Sequence, residues 1–159
     1  MTEPGRDRRG FLKWLWTGLG LVALAEVVWI AVSFLRPRAR AATAAALHVC
    51  GPEGDFPVES VTAFPAGKFY LVRLADGGFL ALHRECTHLG CTVPWSATTS
   101  RFVCPCHAST FDITGQVLGP PAPRPLDLLP VRVENGIVKV DTHRRLRRRE
   151  FRPEQAVHA

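Results

Sequence analysis

Apolar residues form one long run near the start of the chain and several short runs after it. From Trp14 to Leu35 the sequence holds 22 residues with a single charge, Glu26. As a helix this run covers about 33 Å, enough to cross a bilayer core of about 30 Å. It predicts one N-terminal transmembrane helix over residues 14–35. A carboxylate near its middle is costly, so Glu26 either contacts another helix of a membrane complex or stays protonated.

After residue 46 the apolar runs are short and separated by glycine and proline, a pattern typical of strands and turns. Asp76–Gly78 supplies turn residues between two such runs, and Asn135-Gly136 is typical of a type I′ hairpin turn. We therefore expect a mainly β fold, with a small antiparallel β domain over residues 47–142. The predicted strands and hairpins are Lys68–Leu74, Phe79–His83, Phe111–Val117 and Val131–Val140.

Two further segments lack a core-forming pattern. Residues 36–46 read RPRARAATAAA, which predicts a flexible tether between the helix and the β domain. Residues 143–159 are rich in arginine and predict a solvated basic tail that contacts anionic lipid or an acidic partner surface. The predicted organisation is an N-terminal segment (1–13), the helix (14–35), the tether (36–46), the head (47–142) and the tail (143–159).

Composition narrows the class of protein. The 159 residues are 47% hydrophobic and 21% charged, with a net charge of +6, which excludes a disordered chain or a coiled coil. Five cysteines are too few for a disulfide-dense scaffold. The positive charge comes from the two ends of the chain, so we expect no nucleic-acid-binding face.

The residues before the long apolar run carry a second signal. Asp7–Lys13 reads DRRGFLK and resembles the twin-arginine export signal, with Asp where Ser or Thr is usual. That resemblance implies an N-terminus in the cytoplasm and a head outside the membrane; the alternative is a plain basic anchor. Ala39-Arg40-Ala41 offers a cleavage site, but signal peptides have apolar runs of only about 7–15 residues, so an uncleaved anchor is favoured.

The most informative residues lie in two short boxes. Box 1 is Cys86–Cys91 (CTHLGC) and box 2 is Cys104–Ser109 (CPCHAS). Both boxes offer thiolate and imidazole, the ligands that iron and zinc accept. A zinc finger would place two cysteines in one box and two histidines in the other. Boxes that each carry both ligand types suit a cluster in which one iron takes two Cys and the other two His.

The pattern C-x-H-x-G-C followed by C-x-x-H resembles the Rieske iron–sulfur family, over residues 51–140. The resemblance implies a Rieske-type β domain with an inserted cluster-binding subdomain and one [2Fe-2S] cluster. By this resemblance Cys86 and Cys104 bind one iron, and His88 and His107 bind the other. Two imidazole ligands instead of two thiolates raise the reduction potential to about −150 to +300 mV, compared with about −400 mV for plant-type clusters.

The three remaining cysteines have different expected roles. In the quinol-oxidising branch of the family, residues matching Cys91 and Cys106 form a disulfide that joins the two ligand loops. Such a bond agrees with an oxidising compartment outside the membrane; two free thiols are the alternative. Cys50 is expected to be a buried strand residue rather than a ligand.

Residues near box 2 are expected to influence the reduction potential of the cluster. By the resemblance, the Ser109 hydroxyl donates to a bridging sulfide and raises the potential. Phe111 stands where high-potential members have Tyr, so one donor is missing and we expect a lower potential, suited to menaquinol. Ala108 replaces a family Gly, and Gly119–Pro123 matches a stiff loop that covers the cluster. Surface or structural roles are expected for the histidines outside the boxes, His48, His83, His143 and His158.

The resemblance implies the Rieske subunit of a quinol–cytochrome c oxidoreductase of the cytochrome bc type, in a bacterial inner membrane. The outer nitrogen of His107 would accept a hydrogen bond from quinol bound at a cytochrome b-type partner, with Leu89 in apolar contact. The tether would let the head swing to a c-type cytochrome. The chain is not expected to turn over alone.

Three alternatives remain open on the sequence. The first is the relay subunit of another exported oxidoreductase, such as an arsenite-oxidase-like molybdenum enzyme. The second is a zinc-stabilised binding module. The third, a ring-hydroxylase component, is least favoured because the chain has no room for a mononuclear iron domain.

Overall fold

The computed structural model describes residues 7–36 and 47–158. The predicted tether lies outside these residues except for Arg36. The described residues belong to two units, one on each side of the boundary between Ala42 and Thr43. The first is a helix and the second is built from β strands, and each is described by itself.

The helix, α1, spans Arg8–Leu35. It begins six residues before Trp14 because Asp7 caps it: the Asp7 carboxylate accepts a hydrogen bond from the Arg9 N–H at 3.3 Å. All its residues are exposed, and its length and apolar composition suffice to cross a membrane. The predicted N-terminal apolar helix is thus confirmed, and it includes both arginines of the twin-arginine-like motif.

The second unit is mainly antiparallel β structure, as predicted. Its strands form three sheets: an outer sheet ordered β1-β11-β10, a central sheet ordered β2-β3-β4-β9, and a box sheet ordered β5-β6-β7-β8. The strands are β1 Leu47–Pro52, β2 Ser60–Phe64, β3 Phe69–Arg73, β4 Phe79–His83, β5 Trp95–Ser96, β6 Arg101–Val103, β7 Thr110–Phe111, β8 Val117–Gly119, β9 Leu128–Leu129, β10 Val131–Glu134 and β11 Ile137–Asp141.

The central sheet is buried on both faces, which explains why β3 and β4 read as continuous apolar runs rather than as alternating ones. Phe69 and Leu71 of β3 pack with Val138 and Val140 of the outer sheet. Tyr70 and the other residues of opposite parity pack toward the box sheet, with Phe102 and Phe111. The two strands therefore join both layers of the core.

The two predicted hairpins are confirmed. β7 pairs with β8, and β10 pairs with β11. At the second turn Asn135 and Gly136 have φ of 53° and 72°, as a type I′ turn requires. The box sheet lies between β4 and β9 in the chain, so it is an inserted subdomain, and it carries both boxes.

The expectation of a solvated tail from residue 143 is wrong. We call residues 143–158 the C-terminal strap. Leu146 exchanges backbone hydrogen bonds with Leu128 at 2.8 and 3.0 Å, and Val157 does so with Phe79 at 2.8 and 3.0 Å. Arg148 is only 7% exposed, and burial lowers its pKa to about 10. Single apolar residues among arginines give no periodic pattern, although they pack on the head.

Arg148 anchors the strap to the inserted subdomain. Its Nε donates to the Leu126 carbonyl at 2.9 Å, and its Nη1 donates to Gln155 Oε1 at 3.0 Å. Its Nη2 donates to the Thr114 carbonyl of the inserted subdomain. Because Leu146 and Val157 bond to β9 and β4, the strap contacts both the central sheet and the subdomain that carries the boxes.

Candidate metal centre

Box 1 is a tight backbone loop that follows β4. The Cys86 N–H donates to the Cys91 carbonyl at 2.8 Å, and the Gly90 N–H donates to the Cys86 carbonyl at 2.9 Å. Gly90 closes this turn with φ of 81°, a left-handed conformation that glycine adopts at little cost. The loop directs Cys86 into the core, where it is 4% exposed, and leaves Leu89 68% exposed.

Box 2 follows β6 and repeats the same hydrogen bonds. The Cys104 N–H donates to the Ser109 carbonyl at 2.8 Å, and the Ala108 N–H donates to the Cys104 carbonyl at 3.0 Å. Ala108 has φ of 58°, so the position that is glycine in box 1 is left-handed here too. Cys104 is buried and His107 is exposed.

A disulfide joins Cys91 to Cys106 and ties the two boxes together. The predicted pairing is confirmed. The Sγ atoms of these two residues and of Cys104 lie within 4.8 Å of one another. Because the disulfide uses Cys91 and Cys106, the thiols available to a metal in the boxes are those of Cys86 and Cys104, which are free and buried.

The two free thiols contact each other. Burial is the main cause of a raised pKa at Cys86, and the neighbouring Cys104 adds to it. Hydrogen bonds from the His88 N–H and the Ser109 hydroxyl act in the opposite direction, because they stabilise a thiolate. A bound metal ion would supply positive charge that favours the thiolate form of both cysteines.

The two histidines face each other toward the outside. The His88 and His107 ring centroids are 4.9 Å apart and the rings are nearly perpendicular. His88 Nδ1 is buried and has no hydrogen-bond partner among the described residues. A buried nitrogen without a partner is costly, and coordination of a metal would remove that cost. The boxes thus combine buried sulfur donors with imidazoles that lie nearer the surface.

Ser109 is the best-buried polar residue of the boxes, with no exposed surface. Its Oγ accepts a hydrogen bond from the Ala122 N–H at 3.1 Å, while its hydroxyl donates toward Cys86. Ala122 belongs to the predicted covering loop, Gly119–Pro123, so this bond fixes the loop to box 2. Phe111 is fully buried in the same core cluster as the two free thiols.

The cysteine and histidines outside the boxes are either packed in the head or exposed at its surface. Cys50 is half-buried in β1, and burial raises its pKa to about 11. His83 is buried and His48 packs edge-on against Phe64 and Phe69. His143 and His158 are exposed.

Sequence reasoning missed the residues that support box 1 from outside. The Thr87 hydroxyl donates to the Arg124 carbonyl at 2.6 Å, across 37 residues of sequence. Glu85, next to Cys86, pairs with Arg145 of the strap at 2.7 Å. These contacts join distant positions whose residue types are common on protein surfaces, so local spacing gives no signal for them.

Comparison with known proteins bears on this site. A sequence profile of the Rieske [2Fe-2S] domain matches residues 48–134. The chain is 37% identical over 157 residues to the cytochrome b6-f complex iron-sulfur subunit of Synechococcus sp. (strain WH7803), covering 86% of this chain and 85% of that one. The subunit of the same name from Chlorobaculum tepidum is 30% identical over 135 residues, covering 84% and 75%.

Among solved structures, the chain is similar to the plasma membrane Rieske protein of the cyanobacterium Synechocystis PCC 6803. The identity is 32%, and the match covers 58% of this chain and 97% of that chain, with a TM-score of 0.47.

Proposed function

This chain belongs to the Rieske [2Fe-2S] protein family, and on that premise we propose that it is the iron–sulfur subunit of a quinol–cytochrome c oxidoreductase of the cytochrome bc type. In this role it takes an electron and a proton from quinol and passes the electron to a c-type cytochrome. Relatives named as cytochrome b6-f subunits, which it matches over most of their length, support this assignment. The observation that carries it is the layered donor set: buried thiols inside and an exposed imidazole outside.

The residues of the two boxes fit a [2Fe-2S] cluster of the Rieske type. We assign Cys86 and Cys104 to one iron and His88 and His107 to the other. The unpartnered, buried Nδ1 of His88 supports this assignment, as does the disulfide, which leaves those two thiols free. When bound, such a cluster supplies a one-electron acceptor whose imidazole ligands raise its potential.

The outer surface of the boxes is where a quinol would be bound. The His107 ring is exposed, so its outer nitrogen is free to accept a hydrogen bond from a quinol hydroxyl and to hold the proton. The Leu89 side chain is 68% exposed in box 1 and offers apolar contact to a cytochrome b-type subunit. The electron and the proton would thus leave the quinol at one side chain.

The N-terminal segment supports a single-pass membrane subunit. We propose that α1 anchors the chain in a bacterial inner membrane, with the head on the outer, periplasmic side, as the twin-arginine-like motif predicts. The tether over residues 36–46 would let the head move between its quinol-binding partner and the c-type cytochrome. To serve turnover, such movement must fall on the microsecond-to-second scale of domain motion.

The residues near the thiols support a potential below that of ubiquinol-type proteins. Ser109 provides one hydroxyl donor, whereas Phe111 provides none. Fewer donors stabilise the added electron less, and a lower potential suits menaquinol.

Isolation of the full chain from its own membrane tests the assignment. We expect it to copurify with a cytochrome b-type subunit, to give an electron paramagnetic resonance signal on reduction, and to support reduction of cytochrome c by menaquinol. A molybdopterin subunit as the copurifying partner would contradict the assignment and indicate the relay role. A colourless preparation that holds zinc would contradict it as well.

A further inference from the structure

A charged network lies directly behind box 1. Glu85 immediately precedes Cys86, and its Oε2 accepts a hydrogen bond from Arg145 Nη2 at 2.7 Å. The same Arg145 nitrogen lies 2.7 Å from His83 Nδ1. Arg145 belongs to the C-terminal strap, 60 residues further along the chain than Glu85. A positive charge from the strap is thereby placed against the residue next to a cysteine of the box.

The network continues to the far side of the same box. Asp127, whose side chain is 9% exposed, pairs with Arg124 and lies 3.9 Å from Arg145 Nε. The carbonyl of Arg124 accepts the hydrogen bond from Thr87, the residue between Cys86 and His88. Arg145 therefore reaches box 1 by two routes: directly through Glu85, and through Asp127 and Arg124 to Thr87.

The contribution of this network to stability is expected to be small. The Arg145 and Glu85 side chains are 42% and 38% exposed, and ion pairs so exposed to solvent contribute little to the free energy of unfolding. The charge of the network can still affect the reduction of a group bound at Cys86. An unpaired Glu85 carboxylate beside Cys86 would oppose the addition of an electron nearby. The Arg145 guanidinium, whose Nη2 lies 2.7 Å from Glu85 Oε2, compensates that charge.

We propose that Arg145 is a positioning residue for box 1, which neutralises Glu85 beside Cys86 and, through Asp127 and Arg124, holds Thr87 between Cys86 and His88. The inference rests on the proposed function, because it takes Cys86 as a cluster ligand. The strap lies outside the residues matched by the Rieske profile. By compensating the charge of Glu85, it would keep the reduction potential higher than it would be with Glu85 unpaired.

Charge variants of the full-length chain, in detergent, test this by redox titration monitored by electron paramagnetic resonance. With Arg145→Gln, the uncompensated Glu85 should lower the one-electron reduction constant on the order of threefold to tenfold, the size expected for one partly screened charge near the cluster. Glu85→Gln should raise it by a similar factor, and the double variant should return close to wild type. Arg145→Lys should recover most of the loss.

Arg147→Gln is the matched control. Arg147 lies two residues away on the strap, is exposed, and makes no hydrogen bond or ion pair within the described part of the chain. Its loss should change the reduction constant by less than twofold.

Three results would overturn the inference. The first is an equal shift of the reduction constant for Arg145→Gln and Arg147→Gln. The second is a shift of the same sign for Arg145→Gln and Glu85→Gln. The third is no shift in Arg145→Gln or Glu85→Gln protein that retains its cluster. If Arg145→Gln fails to load a cluster, Glu85→Gln still decides by the sign of its shift. A wild-type chain that binds no cluster would instead contradict the proposed function, which keeps the two failures distinct.

Discussion

Box 1 and box 2 have the same backbone but different surroundings. In each, the first cysteine donates to the carbonyl five residues on, and its own carbonyl accepts from the N–H four residues on, at a left-handed position. Box 1 is supported from outside by the strap through Arg145 and Glu85, whereas box 2 is supported by the bond between Ser109 and Ala122. The comparison teaches that local hydrogen bonds set the shape of the loops, while distant residues set their electrostatic environment.

Removal of the free thiol from either box should have the largest effect. We expect Cys86→Ser and Cys104→Ser each to abolish nearly all visible absorbance and electron paramagnetic resonance signal of the reduced protein, because each box supplies one free buried thiol. Cys50→Ser is the control and should retain the cluster, since that thiol lies in β1. Retention of a full signal in one box variant would show that the two boxes do not contribute equally.

Separation of the boxes should have the next largest effect. Cys91 and Cys106 close a loop of 15 residues, so the double variant Cys91→Ser with Cys106→Ser should lower the free energy of unfolding by about 3 kcal/mol. Denaturant titration of the full chain measures this value. Wild-type protein in strong reductant should fall to the stability of the variant, and the variant should not respond to reductant; a response would contradict the prediction.

A hydroxyl added beside box 2 should sharpen the difference between the boxes. Phe111 is fully buried in the same cluster as Cys86 and Cys104, and Phe111→Tyr places a donor near them. A hydrogen bond of about 1 kcal/mol that favours the reduced state raises the reduction constant about fivefold. Phe56→Tyr, at a buried phenylalanine of the other core cluster, is the control and should leave the potential unchanged. An unchanged potential in a folded Phe111→Tyr protein would remove the argument for a low-potential quinol.

Substitution of the residues with positive φ, Gly90 in box 1 and Ala108 in box 2, should have the smallest effect. The change in the free energy of unfolding should have opposite signs in the two boxes. A Cβ on Gly90 would meet no atom within 4 Å, so Gly90→Ala costs only backbone strain, about 1 kcal/mol of unfolding free energy. Ala108→Gly relieves the same strain and should gain about 0.5 kcal/mol. Gly54→Ala, at a position with open space and no positive φ, should not destabilise. A loss of stability in Ala108→Gly would mean that the loops differ more than their hydrogen bonds indicate.

The sequence predicted those features that rest on local patterns. The apolar run of α1, the two-faced strands β3 and β4, and the Asn135-Gly136 turn each depend on residues adjacent in the chain. The spacing of the boxes identifies them in the sequence, because the residues of each box lie a few positions apart. The pairing of Cys91 with Cys106 followed from family resemblance.

The strap and its charged network could not be predicted in this way. Leu146 and Val157 find their partners in strands β9 and β4, 18 and 78 residues earlier in the chain. Leu146 stands alone among arginines and Val157 has only Ala156 beside it, so no periodicity reveals them. Arg148 is of a type that is rarely buried, and only the carbonyls and side chain that accept its hydrogen bonds explain its position.

The pairing of β1 with β11 has a consequence for the order of folding. β1 lies at the start of the head, yet its partner in the outer sheet, β11, begins at Ile137. Both boxes are synthesised between these strands, so the ribosome has made every cysteine before the outer sheet closes. Closure across so many residues is slow compared with the formation of a local hairpin. The interval in which iron and sulfide could enter a partly open head is therefore built into the topology.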